Sequence, residues 1–448
     1  IAELGVGTAI TFSMYKPIVE NDTDTVSALY YLYRKIYFII FLVILVVGGI
    51  LTPFIPYFAK EQTGTFNIYL TYFLFLIAQL ITYLFAYKTS FINANLDNYV
   101  TTIIHSSGII LATALQIVFL VVFKSFNLFL IAIIIGNLAQ WLVTEIIFRV
   151  KYKKLVNNNK ELNEDVKKEV ITKTKATFMH RIGGLLVNTV DSIVIGAFIS
   201  VSILGIYSNY LIIVTGMIGV LVLIFTSITS ILGHSYARNT KEVFYNQFKH
   251  IYLLNFIVAF VFFLGFFAII DPLISLLFTD VSVLSRDIVL IITINYFIQF
   301  MRNANLTFRD ASGLFYYDRY KPLFEGLTNL VLSIAFVFIW GIQGVLIATI
   351  LTNLFITHIV EPYVLYKYGF EKKVKNYYIV NYLLIAAFIG LIVFLYFLPI
   401  PKIDNNLYAI LIYGSSSIIL SIGLFSIVLI FSKKIRKMTK NLFNFKKI

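Results

Sequence analysis

The sequence predicts an all-α integral membrane protein, and three observations support this fold class. Of its 448 residues, 59% are hydrophobic and only 13% are charged, whereas a soluble globular chain is about 45–50% apolar and about a quarter charged. The apolar residues form segments long enough to cross a hydrocarbon core of roughly 30 Å. The Lys and Arg residues lie almost entirely in alternate connections between those segments.

The apolar segments, taken in order, predict one partial helix followed by twelve full transmembrane helices. The first stretch, IAELGVGTAITFSMY, has 15 residues and is too short to span the membrane at about 1.5 Å per residue. We therefore expect this first helix to be truncated and an earlier helix to be missing. The full spans are predicted near 36–58, 68–87, 99–122, 127–148, 183–199, 203–232, 251–270, 287–302, 324–340, 342–364, 378–399 and 407–432.

The distribution of basic residues predicts the orientation. One set of alternate connections holds 32 of the 36 Lys and Arg residues, and the opposite set holds 4. Cytoplasmic loops of membrane proteins carry the excess of positive charge. The basic set is therefore predicted to be cytoplasmic, together with the C-terminus. The net charge of +14 follows from topology, with anionic lipid headgroups as a secondary attraction, and a nucleic-acid partner is not expected.

The longest connection divides the chain into two predicted helical bundles. Two similar segments suggest an internal repeat in parallel orientation, because Ile-Tyr pairs at Ile36 and Ile251 each begin an aromatic-rich span that ends with Pro on the outer side. A true duplication and a coincidence both remain open. The predicted regions are an N-terminal bundle over 1–150, a basic cytoplasmic linker over 151–180, a C-terminal bundle over 181–364, two trailing transmembrane helices over 365–432 and a basic cytoplasmic tail over 433–448.

Polar residues at helical spacing mark one face of the 183–199 span. Arg181, Gly184, Asn188 and Asp191 follow one another at steps of three or four. Polar groups inside a membrane normally face a bundle interior or a wet cavity. Asp191 is interpreted either as a carboxylate that couples to an ion gradient or pairs with a cation, or as a structural residue that is hydrogen-bonded between helices.

The 287–302 span carries a second polar face. Asn295, Gln299 and Arg302 share it, and Arg309 continues it. Arg302 is interpreted either as part of a cationic path or as an ordinary basic residue at a helix end, and the second interpretation is favoured for Arg309. A further set of intramembrane polar residues predicts interhelical hydrogen bonds, and it comprises Glu325, Asn329, Ser333, Thr349, Asn353, Thr357 and Glu361, with His105 and His358 interpreted as structural.

Several classes of site are not predicted. The chain has no cysteine, which excludes disulfides and thiolate chemistry. No His, Asp and Glu cluster has the spacing of metal ligands, and no phosphate-binding glycine loop of the GxxxxGK[ST] type occurs. We therefore expect no cofactor, no ATPase activity and no enzymatic function.

Four stretches of the sequence resemble a known transporter family. They are RDASGLFYYDRYKPLFEGLTNLVLS, GIQGVLIATI, EPYVLYKYGF and ELGVGTAITFSMYKPIVENDTDTVSALYYLYRKIY. They are similar to the polysaccharide-repeat flippases (Wzx-type) of the multidrug/oligosaccharidyl-lipid/polysaccharide (MOP) exporter superfamily. The resemblance implies about fourteen helices in the intact protein, arranged as two pseudo-symmetric bundles around a central cavity with two further C-terminal helices. It also implies a place in the bacterial cytoplasmic membrane.

The resemblance further implies a substrate and a set of site residues. The substrate would be an oligosaccharide repeat unit on undecaprenyl pyrophosphate, moved from the inner to the outer leaflet by alternating access for export of a cell-surface polysaccharide. The cavity walls would correspond to 1–16 and 183–232. The predicted substrate-binding residues are Arg181, Arg302, Lys16 and Asn188, and the residues predicted to couple transport to a proton or sodium gradient are Asp191 and Glu3.

Three other functions stay open at this stage. A multidrug exporter of the same superfamily would move amphiphilic cations and would favour acidic cavity residues. A membrane polysaccharide polymerase generally needs a large outer loop, and the outer connections predicted here are all short. An inert membrane scaffold would not need the polar faces.

Overall fold

The computed structural model shows a helical chain in two compact units. The units comprise residues 1–185 and 186–448, and each has its own hydrophobic core. The predicted all-α class is confirmed, because the described residues contain no strand. The structure describes residues 14, 17–18, 20–58, 67–95, 97–153, 156, 183–184, 186–187, 189–238, 240–278, 283–314, 317–399 and 403–431.

Within its described residues, the N-terminal unit contains five helices of nine or more residues, and the first of them is followed by a 3-10 turn over Thr52–Phe54 and a four-residue helix over Ile55–Phe58. The last of them continues into a π-helical turn over Phe148–Tyr152. The predicted partial first helix, most of the 151–180 linker and the 433–448 tail lie outside the described residues. The helices are α1 Thr23–Leu51, α2 Ile68–Tyr83, α3 Ala86–Ala94, α4 Asn98–Val121 and α5 Phe126–Ile147.

The helices of the C-terminal unit are described from Thr189 to Phe431. The first helix, α6, corresponds to the predicted 183–199 span in the part that the structure describes. The helices of this unit are α6 Thr189–Phe198, α7 Val201–Arg238, α8 Lys241–Leu277, α9 Arg286–Met301, α10 Asn303–Ala311, α11 Lys321–Thr352, α12 His358–Val364, α13 Lys375–Phe397 and α14 Asn406–Phe431.

Polar side chains fix where several helices begin. Asp22 accepts a hydrogen bond from the Thr25 amide at the start of α1, and Asn67 accepts from two amides at the start of α2. Ser125 and Thr240 serve in the same way for α5 and α8. Such caps satisfy backbone donors that have no partner inside the helix, which is why these helices begin at these residues.

The outer surfaces of both units are apolar. Ile110 is 68% exposed and Val331 is 66% exposed, although both lie in the middle of helical segments. Within the described residues, nine helical segments are long and apolar enough to cross a membrane. The chain is therefore a multi-pass membrane protein. The predicted span near 183–199 is described only in part, as α6, and the span near 287–302 corresponds to α9 of 16 residues, so the count of twelve full spans stays a prediction.

Helix α11 reverses direction at Gly341. This glycine has φ 58° and ψ −136°, a left-handed conformation that disfavours residues with a Cβ. Thr349 Oγ1 after the break lies 3.2 Å from Asn329 Oδ1 before it, although 20 residues in one straight helix would span about 30 Å. The arms 321–340 and 342–352 are therefore the two sides of an antiparallel hairpin, as the predicted spans 324–340 and 342–364 require.

Aromatic side chains form the core of each unit. In the N-terminal unit, Tyr30 stacks on Phe148 at 5.2 Å between ring centroids. In the C-terminal unit, Phe297 of α9 stacks on Phe388 of α13 at 3.7 Å, and Phe260 of α8 meets α14 through another ring contact. These contacts hold α13 and α14 against the preceding helices of the same unit.

Candidate functional site

A polar cavity of about 490 Å³ lies inside the C-terminal unit. Its polar groups come from α6, α7, α9, α10 and the second arm of α11. They are notable because the surrounding helices are predominantly apolar. The side chains that line the cavity are Val187, Asp191, Ser192, Tyr207, Leu211, Thr215, Ile218, Gly219, Val222, Asn295, Tyr296, Gln299, Phe300, Arg302, Asn303, Leu306 and Thr349.

Two of the predicted site residues, Asp191 and Arg302, line this same cavity. They are 111 positions apart in the sequence, and the fold of the unit brings them to one site. Asn295 and Gln299, which were predicted to share a face with Arg302, also line it. The other predicted site residues, Glu3, Lys16, Arg181 and Asn188, lie outside the described residues.

Asp191 is held by a hydroxyl. The Thr349 Oγ1 donates to Asp191 Oδ1 at 2.7 Å. The ion pairs formed in the described part of this unit involve other acids, and none of them includes Asp191. Its charge is therefore not balanced by a described cation.

The same hydroxyl has two longer contacts. Thr349 Oγ1 lies 3.2 Å from Asn329 Oδ1 and 3.3 Å from the Val345 carbonyl. A hydroxyl has a single proton to donate, and the shortest contact, to Asp191, is its best acceptor. Thr349, which was predicted to hydrogen-bond between helices, thus connects the α11 hairpin to Asp191 of α6.

Arg302 is part of a buried cluster of four charges. Its Nη2 donates to Glu361 at 2.6 Å, and its Nη1 lies 3.6 Å from Glu325. Lys321 Nζ lies 2.6 Å from Glu325 and 2.7 Å from Glu361. Two cations thus face two carboxylates. Arg302 reaches the cavity wall with its charge already balanced by its neighbours.

His358 and Asn381 form a hydrogen-bonded group beside the cluster. His358 Nε2 lies 2.9 Å from the Ile298 carbonyl, and its Nδ1 lies 3.2 Å from Asn381 Nδ2. The imidazole therefore donates at Nε2 and accepts at Nδ1, the pattern of a neutral histidine. Asn381 also accepts a hydrogen bond from Tyr252 at 2.7 Å. These contacts agree with the structural interpretation of His358.

Arg309 anchors the connection that follows α10. It lies 2.6 Å from Asp318 and 2.9 Å from Asp310. Burial lowers the pKa of the Arg309 guanidinium, but the carboxylates of Glu361, Asp310 and Asp318 outweigh this effect and hold the pKa above its usual value. The favoured interpretation of Arg309 as a basic residue outside the transport path agrees with these contacts.

The N-terminal unit has a polar cavity of its own, of about 410 Å³. His105 Nδ1 lies 3.3 Å from Gln140 Oε1 there, and Asn137 donates to the Ala78 carbonyl at 2.8 Å. Beside it, Lys88 forms an ion pair with Glu145. In the part of the chain that the structure describes, no group of three His, Asp or Glu side chains is arranged to hold a metal ion.

Sequence reasoning missed the role of Lys321. This residue was counted only among the basic residues of a cytoplasmic connection, yet its side chain is 4% exposed and contacts two carboxylates. A signal for it exists in the sequence: Lys321 precedes Gly341 by 20 residues and Glu361 follows it by 20. A hairpin that turns at Gly341 brings these two positions together.

The arrangement of helices has counterparts among solved structures. The structure of the lipid II flippase MurJ in an inward closed conformation matches with a TM-score of 0.61, 15% sequence identity, and coverage of 95% of this chain and 90% of that chain. An inward-facing multidrug resistance MATE family transporter of the MOP superfamily matches with a TM-score of 0.59, 13% identity, and coverage of 86% and 87%. This chain has the fold of the MOP-superfamily transporters.

A further transporter shows the same likeness. A variant of the Vibrio cholerae MATE transporter VcmN matches with a TM-score of 0.52, 14% identity, and coverage of 84% of this chain and 85% of that chain. No family model and no curated protein matches the sequence. At these identities the comparisons establish the fold alone.

Proposed function

We propose that this protein is a flippase of the Wzx type. It moves an oligosaccharide repeat unit on undecaprenyl pyrophosphate from the cytoplasmic to the outer leaflet by alternating access. The observation that carries the proposal is the polar cavity of about 490 Å³ within the apolar C-terminal unit. A charged sugar head crosses hydrocarbon only where polar groups replace its water, and this cavity offers amides, hydroxyls and Arg302.

The charge balance of the cavity constrains how a pyrophosphate is held. Arg302 and Lys321 are matched by Glu325 and Glu361, so the cluster has no excess of positive charge. An incoming anion must therefore draw Arg302 away from Glu361, or bind when a carboxylate takes up a proton. Lys16, Arg181 and Asn188 are proposed to contribute the remaining contacts to the head group.

Asp191 is proposed as the residue that couples transport to an ion gradient, with Glu3 as a second candidate. The Asp191 carboxylate accepts a hydrogen bond from Thr349 and forms no ion pair with a described cation. A carboxylate in such a setting can take up a proton or a sodium ion as the site changes its access. Intramembrane acids serve as proton relays in many transporters.

The proposal is tested in a strain that lacks its own repeat-unit flippase. The full chain should restore surface polymer, and Asp191→Asn should lower the restored amount by at least about tenfold, the effect of roughly 1.4 kcal/mol. Asp287→Asn is the matched control, since Asp287 contacts Gln343 and does not line the cavity. Equal polymer from Asp191→Asn and the parent, at equal membrane levels, contradicts the coupling role. Failure of the parent chain to restore polymer in strains with several different repeat units contradicts the flippase.

Export of amphiphilic cations is a second candidate function. It is favoured by Asp191, which brings a negative charge without a described counter-ion to the cavity, and by the likeness to MATE transporters. A sensitised strain that lacks its drug exporters separates the two. Resistance to cationic dyes that is lost with Asp191→Asn supports the exporter, and unchanged sensitivity with restored polymer supports the flippase.

A further inference from the structure

A groove of about 460 Å³ lies in the N-terminal unit, between α1 and the end of α2 with the start of α3. It is separate from the cavity proposed for transport, which belongs to the other unit. The groove combines two cations with aromatic walls. Its principal residues are Arg34, Lys35, Phe38, Phe41, Tyr83 and Tyr87.

The two cations in the groove are not neutralised by acids. Arg34 and Lys35 are both exposed, no acid lines the groove, and neither residue forms an ion pair with a described carboxylate. Three other basic residues of this unit are paired: Lys88 and Arg149 with Glu145, and Lys151 with Asp97. The groove therefore carries positive charge that an anionic ligand can neutralise.

The groove becomes apolar along the helix axis. Arg34, Phe38 and Phe41 are spaced i, i+4 and i+7, so they share one face of α1 over about 10 Å. The rings of Phe38 and Phe41 are parallel within 8°, with centroids 6.3 Å apart. Phe38 is 58% exposed. The cations mark one end of an aromatic surface that runs into the apolar part of the helix.

We propose that this groove binds an anionic glycerophospholipid. The phosphate lies between Arg34 and Lys35, and the first segments of an acyl chain lie on Phe38 and Phe41. A soluble phosphate would use the two cations but would leave the aromatic surface uncovered. A zwitterionic lipid would cover the rings but would not neutralise two positive charges. An anionic phospholipid satisfies both features.

Quenching of one tryptophan by brominated lipid tests the proposal. The full chain has two tryptophans, so Phe41→Trp is placed in a Trp141→Phe and Trp340→Phe background and reconstituted in vesicles. Brominated phosphatidylglycerol should be preferred over brominated phosphatidylcholine. Each juxtamembrane basic residue raises the local affinity for anionic lipid by about fivefold. The preference for phosphatidylglycerol over phosphatidylcholine should therefore reach roughly 25-fold with both cations present. It should fall to a ratio of about 1 when both cations are replaced by glutamine.

Two controls separate a site from general attraction. The double variant Lys373→Gln with Lys375→Gln removes the same charge from the other unit and should keep the preference for phosphatidylglycerol. The double variant Arg34→Lys with Lys35→Arg should also keep it, because the charge of the groove is retained. If the glutamine variant does not fold, the lipid preference of the parent is measured instead at different salt concentrations. Raising the salt from about 0.01 M to about 1 M shortens the Debye length from about 30 Å to about 3 Å, and the preference should fall with it.

Three results would overturn the proposal. The first is equal quenching by the two lipids in the parent. The second is loss of the preference in the Lys373 and Lys375 control as large as in the groove variant. The third is displacement of phosphatidylglycerol by undecaprenyl phosphate at equal mole fraction, which would assign the groove to the polyprenyl carrier. None of these measures transport, so the flippase proposal stands or falls separately.

Discussion

Replacement of Glu361 by glutamine tests the buried cluster of Arg302, Lys321, Glu325 and Glu361 in the C-terminal unit. The Glu361 side chain is 2% exposed, and it receives Arg302 at 2.6 Å and Lys321 at 2.7 Å. Glutamine keeps the shape but removes the charge. Glu325 would then be the single carboxylate of the cluster facing two buried cations.

The expected cost follows from this imbalance. Removing one partner from a buried ion pair costs about 3–5 kcal/mol, because the other charge stays buried without compensation. For a domain of roughly 150–250 residues, each kcal/mol shifts Tm by about 2–4 °C. Glu361→Gln should therefore lower the Tm of the purified protein by roughly 6–20 °C. Lys321→Met added to Glu361→Gln restores a neutral pair of Arg302 and Glu325, so it should recover part of the loss.

The assay is thermal unfolding in detergent, monitored by size-exclusion chromatography of the heated samples. Glu371→Gln is the matched control, since Glu371 is 64% exposed and pairs with Lys241 at the surface. Exposed ion pairs contribute about 0–1 kcal/mol, so this variant should change Tm little. The reasoning is refuted if Glu361→Gln and Glu371→Gln unfold at the same temperature, or if the double variant is less stable than Glu361→Gln alone.

Two glycine substitutions test the helix contacts. Gly136→Ala would place a Cβ 2.7 Å from the Ala112 Cβ and 2.8 Å from the Gly108 carbonyl oxygen. This overpacking should destabilise the protein by about 1–3 kcal/mol. The control Gly390→Ala has nothing within 4 Å of the new Cβ, so it should not lower the Tm in the same thermal unfolding assay. Gly341→Ala places a Cβ at φ 58° and should cost about 1–2 kcal/mol, and an unchanged Tm would contradict a left-handed turn there.

The sequence predicted the helices well because the membrane imposes their length and apolar character. The predicted spans 99–122 and 127–148 correspond to α4 and α5 within a few residues. The long helices α7 and α8 extend beyond their predicted spans, to Val201–Arg238 and Lys241–Leu277. Their ends are amphipathic, so hydropathy alone could not locate the point where the helix stops.

The candidate site could be predicted only in part. Helical spacing identified Asp191 and Arg302, and both line one cavity. Helical spacing could not show that the charge of Arg302 is balanced by a carboxylate, because its partner Glu361 lies 59 residues further along the chain. Nor could it show that Asp191 is held by Thr349, which comes from another helix. Such partners are set by tertiary packing, which a local pattern does not contain.

The register of the α11 hairpin explains why these partners meet. Lys321 and Glu361 are each 20 residues from Gly341, and Asn329 and Thr349 are 12 and 8 residues from it. The chain reverses at Gly341 and the second arm continues through Asn353–Thr357 into α12, so residues at similar separations on the two sides of Gly341 lie side by side. A shift of one residue in either arm would rotate its polar face by about 100° and would leave charged groups facing apolar neighbours. The polar pairs therefore specify the register, and the register in turn places Thr349 against Asp191. Insertion of one alanine after Gly341 should for this reason abolish transport and lower Tm more than the same insertion in the connection between α5 and α6.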